Sequence, residues 1–172
     1  MSYRIEPAHY KYISELPEIS RAAAGLFPAE DLPIALRSEM LPLETLEEAL
    51  LEERLWIVID ENEDKAVGFA LLTERCGNIH LREIDVHPAH GRQGLGTDLL
   101  KQVITWSKNK KYQRFTLTTF RHLPWNAPFY AKLGFQAIDQ SEFSPCLKKL
   151  LDEEAIVFDK SKRVLMILDL KP

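Results

Sequence analysis

The stretch that decides the fold runs from Ile84 to Leu100 and reads IDVHPAHGRQGLGTDLL. An apolar strand passes through Pro88 into a basic turn with spaced glycines, and the turn leads into a helix. The first turn of a helix has backbone N–H groups without partners, and the helix dipole favours negative charge there. Gly94 and Gly96 leave room for a ligand against the backbone, and Arg92 adds a cation beside it. The stretch therefore predicts a pyrophosphate site.

The composition limits the classes of function. The chain has 172 residues, of which 45% are hydrophobic and 28% charged, as expected for one globular domain. Its net charge of −4 argues against a nucleic-acid partner. It contains no apolar run near the ~20 residues that span a bilayer, so we expect no membrane partner. The N-terminus carries no hydrophobic signal region, which favours a cytoplasmic location.

The two cysteines are Cys76 and Cys146. One disulfide could form between them, but two free thiols fit a reducing cytoplasm better. No His or Cys spacing resembles a zinc site, so we expect no metal.

Hydrophobic periodicity predicts an α/β (α+β) domain with a central mixed sheet. Helices are expected at 9–27, 43–53, 96–108, 125–133 and 145–154, with Thr45 as a cap of the second. Strands are expected at 3–6, 55–59, 66–73, 79–87, 114–120, 135–138 and 163–170. The unit from 79 to 120 requires a parallel strand pair with a right-handed crossover. The segment 28–42 is interrupted by prolines and is expected to be mobile. The last strand is apolar enough to pair with a second copy, which allows a homodimer.

Two common phosphate sites fit the turn poorly. Gly91 and Gly96 have the spacing of a P-loop, but Thr97 stands where that loop needs lysine. A dinucleotide fingerprint needs a third glycine where this chain has Leu99. A coenzyme A site is the interpretation that remains.

Two blocks of the sequence resemble the GNAT superfamily of N-acetyltransferases. The first is Val86-His87-Pro88 followed by Gly94-Leu95-Gly96, which matches the family's pyrophosphate motif except that Gly91 stands at the leading Gln or Arg position and Arg92 follows it. The second is Pro124–Phe135, which resembles the family's helix ending in Tyr-x-x-x-Gly-Phe. The resemblance covers roughly residues 54 to 140.

The resemblance implies a single GNAT domain over residues 1–172. Its sheet would be mixed but mostly antiparallel, with six to seven strands, splayed between strands 4 and 5 and flanked by helices. It also implies an acetyl-CoA-dependent N-acetyltransferase that acts by direct transfer in a ternary complex, with a primary amine of a small molecule or peptide as acceptor. CoA would lie between strands 79–87 and 114–120. The implied cofactor-binding residues are Ile84, Asp85, Val86, Gly91, Arg92, Gln93, Gly94, Leu95, Gly96, Thr97, Asn126 and Tyr130.

Tyr130 is the first catalytic candidate, because the resembled family places a tyrosine at this helix position to protonate the leaving CoA thiolate. A phenol in that place is worth about 10²–10⁴ in rate. Asn126 lies one turn earlier on the same helix face and could bond pantetheine or fix the start of the helix.

The general base has two candidates, His80 and Glu83. A period of two places His80, Arg82 and Ile84 on one face of their strand, and Leu81, Glu83 and Asp85 on the other. A bulge would shift this alternation. His80 has a suitable unperturbed pKa of about 6.5, and Arg82 could instead hold an acceptor carboxylate.

Two other classes of function stay open at this point. A CoA-binding sensor or regulatory module would bind the cofactor without turnover. A nucleotide-binding protein would be protected by ATP or NAD and not by CoA.

Overall fold

The computed structural model describes residues 2–37, 41–156 and 158–171. Its strands are β1 (Tyr3–Pro7), β2 (Leu55–Asp60), β3 (Lys65–Arg75), β4 (Asn78–Val86), β5 (Arg114–Phe120), β6 (Gln136–Ala137) and β7 (Arg163–Asp169). Its helices are α1 (Tyr10–Ile13), α2 (Leu16–Ala24), α3 (Ile34–Arg37), α4 (Leu43–Leu51), α5 (Leu95–Asn109), α6 (Ala127–Lys132) and α7 (Pro145–Glu154). The strands form one sheet in the order β1-β2-β3-β4-β5-β7-β6. The predicted fold class is confirmed.

The chain divides into two compact units, and β4 contributes to both. The first unit contains the chain up to Thr73 together with Arg82–Trp106. In it β1, β2 and β3 pair in antiparallel fashion, and β2 and β3 form a hairpin. The apolar faces of α1, α2 and α4 pack on alternate residues of β2 and on β3, in a core around Leu16, Leu46 and Phe69.

The second unit contains Glu74–Leu81 and the chain from Ser107. Here Ile79–Leu81 of β4 pair in parallel with Phe115–Leu117 of β5, which confirms the predicted parallel pair. The pairing covers three residues of each strand. β7 pairs antiparallel with β5 and with β6, and α7 packs on Leu165.

Local sequence signals explain several boundaries. Pro17 lies in the first turn of α2, where its missing N–H costs no hydrogen bond. Ser144 begins α7 by accepting from the N–H of Leu147 at 3.3 Å. Gly134 follows the end of α6 with φ +98°, the left-handed conformation that ends many helices.

Two expectations from the sequence are wrong, and a third stays open. Cys76 and Cys146 form a disulfide, with Cα atoms 5.7 Å apart across a separation of 70 residues. The prediction of free thiols rested on the compartment alone, whereas the fold brings the cysteines within bonding range. Thr45 lies inside α4, whose N-cap is Pro42. β7 pairs with β5 along its whole length and with β6 at Met166 and Ile167, and the homodimer through this strand stays a prediction.

The proline-rich segment 28–42 contains α3, and residues 38–40 of it lie outside the described residues. Among the helices of the described ranges, none has the length and apolar character that crossing a bilayer requires.

Candidate functional site

The residues that the sequence singles out fall into two groups, one in each unit. Glu83–Val86 and Gly91–Thr97 belong to the first unit. His80, Asn126 and Tyr130 belong to the second.

The turn before α5 has the backbone of an anion site. Arg92 and Gly94 both adopt left-handed conformations, with φ +60° and +78°. The Asp98 N–H donates to the Gly94 carbonyl oxygen at 3.0 Å, so the helix begins directly after Gly94. The N–H groups of residues 95–97 are therefore first-turn donors without acceptors in their own helix. Together with the helix dipole, they suit a phosphate oxygen.

The same turn is open to solvent and anchored from behind. Residues 91–94 are exposed, and a Cβ built on Gly94 would meet no atom within 4 Å. Glycine at position 94 therefore allows the positive φ without strain, and the space above it is open to a ligand. The His87 N–H donates to the Val67 carbonyl oxygen at 2.8 Å, and the Tyr3 hydroxyl is 2.9 Å from His90 Nδ1. These bonds hold the entry to the turn against β1 and β3.

The end of β4 approaches β3 closely. A Cβ on Gly68 would lie 3.0 Å from the carbonyl oxygen of Asp85 and 3.3 Å from a methyl group of Val86. Ile84 and Val86 are only partly buried. A larger residue at position 68 would displace the backbone that the sequence assigns to pantetheine.

Two carboxyl groups on β4 form a linked pair. The Ser20 hydroxyl of α2 donates to Glu83 Oε1. Asp85 is a partly exposed residue whose carboxyl group is buried and hydrogen-bonded to Glu83. Burial is the largest cause that raises the pKa of Asp85 well above its usual range, and the neighbouring Glu83 adds to it.

His80 is a buried, neutral histidine in the second unit. Its side chain is 4% exposed, and its Nδ1 lies 2.8 Å from Thr116 Oγ1. Thr116 Oγ1 also lies 3.5 Å from the Ile79 carbonyl oxygen, and the tautomer of the ring decides whether His80 Nδ1 donates to the hydroxyl group or accepts from it. Burial, followed by the charges of Arg75 and Arg163, lowers the pKa of His80 to about 4. A group with this pKa is a weak base at neutral pH.

Tyr130 lies in α6 within an aromatic cluster. It is 7% exposed, and its ring makes edge contacts with Phe129 at 5.1 Å and Phe135 at 5.9 Å between centroids. Asn126 stands at the N-cap of α6, as expected, but its side chain makes no capping hydrogen bond. Its Oδ1 accepts from the N–H of Phe120 at 3.3 Å, so it ties the start of α6 to the end of β5.

A buried cation that the sequence did not suggest lies in the same unit. Arg163, at the start of β7, stacks between Phe120 and Phe158 with its guanidinium carbon 4.7 Å from each ring centroid. It donates to Thr118 Oγ1 at 3.1 Å and pairs with Glu154 at 3.5 Å. Burial lowers the pKa of Arg163, while Glu154 opposes the shift. No local sequence signal could have found this cluster, because its members come from four separate segments.

The described residues show no second candidate for a metal or ligand site that involves the predicted residues. No group of three His, Cys, Asp or Glu side chains among residues 2–37, 41–156 and 158–171 is arranged to hold a metal ion. A cavity of about 510 Å³ in the second unit lies between β6, β7 and the start of α7. Its described lining includes none of the predicted catalytic or cofactor-binding residues.

Comparison with protein families gives one match over most of the chain. The model of a family described as the acetyltransferase (GNAT) family matches residues 20–135. The matched range contains the whole stretch from Ile84 to Leu100 and extends to Phe135, where the second sequence block ends.

Solved structures with the same fold cover nearly the whole chain. An acetyltransferase of the GNAT family from Staphylococcus aureus has a TM-score of 0.71 at 20% identity, covering 99% of this chain and 100% of that one. PaiA N-acetyltransferase from Thermoplasma acidophilum, solved with coenzyme A, has a TM-score of 0.68 at 16% identity and covers 98% and 99%. The ribosomal-protein-S18-alanine N-acetyltransferase from Escherichia coli has a TM-score of 0.67 at 17% identity and covers 99% and 96%. At these identities the likeness concerns the fold.

Proposed function

Because the protein belongs to the acetyltransferase (GNAT) family and is an N-acetyltransferase that uses acetyl-CoA, we propose that it transfers the acetyl group directly to a primary amine while both substrates are bound. The acceptor class is a small molecule or a peptide. The protein alanine named for the Escherichia coli structure supports an amine acceptor of this kind. The single observation that carries the proposal is the exposed turn before α5, with its left-handed Arg92 and Gly94 and its free first-turn donors.

In the proposed complex the CoA pyrophosphate lies on the backbone of residues 91–97. The N–H groups of Leu95, Gly96 and Thr97 donate to phosphate oxygens, and Arg92 and Gln93 are in place to add side-chain contacts. The backbone of Ile84–Val86 pairs with the pantetheine amides in the manner of an added strand. A backbone N–H near Val86 polarises the acetyl carbonyl group. Asn126 contributes to the pantetheine site.

The proposed reaction forms one bond and breaks another. The amine nitrogen attacks the acetyl carbonyl carbon, the C–N bond forms, and the C–S bond of the thioester breaks. The departing sulfur takes a proton from the Tyr130 hydroxyl. The alkylammonium nitrogen loses one proton to a carboxylate before it attacks and a second proton to solvent as the amide forms. Tyr130 then regains a proton from solvent, and the carboxylic acid releases one.

We assign the base to Glu83 in preference to His80. An alkylammonium acceptor must lose a proton before it can attack, and the base needs to be ionised and accessible. Glu83 is partly exposed, whereas His80 is buried and hydrogen-bonded to Thr116. The low pKa of His80, about 4, leaves it little affinity for a proton at neutral pH.

The activity is tested by measuring thiol release from acetyl-CoA over a panel of primary amines. We expect free CoA to appear only when both acetyl-CoA and a suitable amine are present. Saturable CoA binding with no thiol release for any amine would favour a sensor without turnover. Protection against heat by ATP or NAD, but not by CoA, would favour a nucleotide-binding protein.

A pair of glycine variants tests the turn itself. Gly94→Ala and Gly77→Ala each place a methyl group on a left-handed backbone, at φ +78° and +75°, and both sites are open. The backbone strain is therefore matched at about 1–2 kcal/mol. We expect Gly94→Ala to raise the Kd for CoA by about tenfold, equivalent to roughly 1.4 kcal/mol, and Gly77→Ala to leave the Kd unchanged. Equal effects of the two variants would argue against the turn as the pyrophosphate site.

We propose that the protein works in the cytoplasm, although the disulfide between Cys76 and Cys146 is uncommon in a reducing compartment. Alkylation of the protein in freshly lysed cells, followed by mass spectrometry, tests this combination. A largely reduced pair in active protein would agree with the cytoplasm. A fully oxidised pair would favour an oxidising compartment.

A further inference from the structure

The segment that leads from β4 into the turn before α5 receives hydrogen bonds from β3 and from β1. At its start, the His87 N–H donates to the Val67 carbonyl oxygen of β3 at 2.8 Å. Further along, His90 Nδ1 lies 2.9 Å from the hydroxyl group of Tyr3 in β1, and these two residues are 87 positions apart. The exposed residues 91–94 follow His90 directly. The contact with Tyr3 therefore reaches the chain immediately before the proposed pyrophosphate site.

The bonds within this segment join near neighbours in the chain. Pro88–His90 form a turn of 3₁₀ helix, in which His87 Nδ1 accepts from the Ala89 N–H at 3.1 Å. The Gly91 N–H donates to the Pro88 carbonyl oxygen, also at 3.1 Å. Such local bonds set the shape of the turn, whereas its place on the sheet depends on bonds to other strands.

Tyr3 is itself well anchored in its strand. β1 pairs with β2 along its whole length, and Tyr3 stands opposite Asp60. The pairing continues beyond the strand, because the Glu61 N–H donates to the Ser2 carbonyl oxygen at 3.0 Å. The Tyr3 ring also makes an edge contact with the His90 ring at 5.9 Å between centroids. A fixed strand thus presents both the ring and the hydroxyl group of Tyr3 to His90.

We propose that Tyr3 is a positioning residue for the cofactor pyrophosphate, which acts through His90 to hold the turn of residues 91–97 in its binding conformation. A ligand binds more weakly to a turn that it must first order, because ordering uses part of the interaction free energy. In this role Tyr3 affects binding of the acetyl donor and not the chemical step. This inference rests on the proposed function, in which the turn binds the CoA pyrophosphate.

The first experiment measures the Kd for CoA by calorimetry in the full chain. Tyr3→Phe removes the hydroxyl group and keeps the ring, and it should raise the Kd about three- to tenfold, which is the range that one neutral hydrogen bond supplies. His90→Leu should raise the Kd at least as much. The double variant should bind CoA no more weakly than His90→Leu alone, because the same bond is lost only once.

Two further variants serve as controls. His90→Asn keeps hydrogen-bonding atoms on the side chain, so it should bind CoA more tightly than His90→Leu. Tyr12→Phe removes a different hydroxyl group of the same unit, which donates to Asp64 Oδ1 at 2.6 Å. Tyr12→Phe should lower the Tm and leave the Kd for CoA unchanged.

The second experiment compares acetyl-CoA with acetyl-pantetheine, a donor that has the thioester and the amides but no pyrophosphate. With acetyl-CoA, Tyr3→Phe should raise the KM about three- to tenfold and leave kcat unchanged. With acetyl-pantetheine, the kcat/KM of Tyr3→Phe should equal that of wild type. A general loosening of the fold would instead lower kcat/KM for both donors alike.

Several results would overturn the role of Tyr3 and leave the pyrophosphate site in place. These are an unchanged Kd in Tyr3→Phe, additive effects in the double variant, and equal losses with the two donors. A different result would remove the site itself: if wild type has the same kcat/KM for acetyl-CoA and acetyl-pantetheine, the turn does not bind the pyrophosphate. If acetyl-pantetheine reacts too slowly to measure, the calorimetric comparison decides. If Tyr3→Phe does not fold, equal Kd values for His90→Leu and His90→Asn overturn the inference.

Discussion

Replacing His80 with asparagine should remove a large part of the pH dependence of stability. His80 is 4% exposed, and burial, with the charges of Arg75 and Arg163, lowers its pKa from 6.5 to about 4. Between pH 4 and pH 6.5 His80 binds a proton in the unfolded chain but not in the folded protein. The free energy of unfolding therefore has its full value above pH 6.5 and decreases as the pH is lowered toward 4. A shift of about 2.5 units, at about 1.36 kcal/mol each, gives roughly 3 kcal/mol.

The assay is urea unfolding of wild type and His80→Asn at several pH values from 7 to 4. Asparagine carries both an N–H donor and an oxygen acceptor, so it can bond to Thr116 Oγ1 in either direction, but it does not titrate. Other carboxyl groups titrate at the lower end of this range and affect both proteins alike, so the difference between the curves isolates His80. Wild type should lose about 3 kcal/mol more than the variant between pH 7 and pH 4. An imidazole resonance that does not titrate above pH 5 would give direct support.

Two results would refute this reasoning. If the His80 resonance titrates between pH 6 and pH 7, burial does not control its protonation. Parallel stability curves for the two proteins would lead to the same conclusion. The variant also bears on the proposed base, because an acid limb in the activity profile that disappears in His80→Asn would transfer that role from Glu83 to His80.

Three further outcomes are expected. Tyr130→Phe should lower kcat, measured by thiol release, by a factor of about 10²–10⁴. The Kd for CoA, measured by calorimetry, should not change. An unchanged kcat would show that the hydroxyl group does not take part in the reaction. Replacing both Cys76 and Cys146 with alanine should reduce the free energy of unfolding by about 4 kcal/mol, because the disulfide closes a loop across 70 residues, and an unchanged Tm would show that this link contributes nothing. Arg163→Met should cost about 3 kcal/mol in urea unfolding by leaving Glu154 without its cation, and adding Glu154→Gln should recover part of that loss. Equal losses in the single and double variants would contradict the coupling.

The sequence predicted the elements with strong local signals most accurately. β5 and α7 have the predicted bounds, because alternation in the strand and Pro145 in the helix's first turn act within a few residues. The cap of α4 was misplaced, because Thr45 satisfies the local pattern of a cap while the helix begins two residues earlier at Leu43. Sequence patterns describe what a segment favours, and packing selects where it begins.

The disulfide and the Arg163 cluster could not be predicted from local sequence signals. Cys76 and Cys146 are 70 residues apart, and no spacing rule connects them. Arg163 reads as an ordinary strand residue until Phe120 and Phe158 enclose it. Both features depend on which segments the sheet order brings together.

The sequence by itself determined the turn from Gly91 to Thr97 and the helix that follows it. A positive φ, a helix start and an unpaired row of N–H groups are properties of consecutive residues. Only the tertiary structure decided which titratable groups could serve as the base. It buries His80 against Thr116, and it brings Ser20 to Glu83 across 63 residues. The physical reason is that protonation depends on desolvation and on hydrogen-bond partners, which distant segments supply only after the chain has folded.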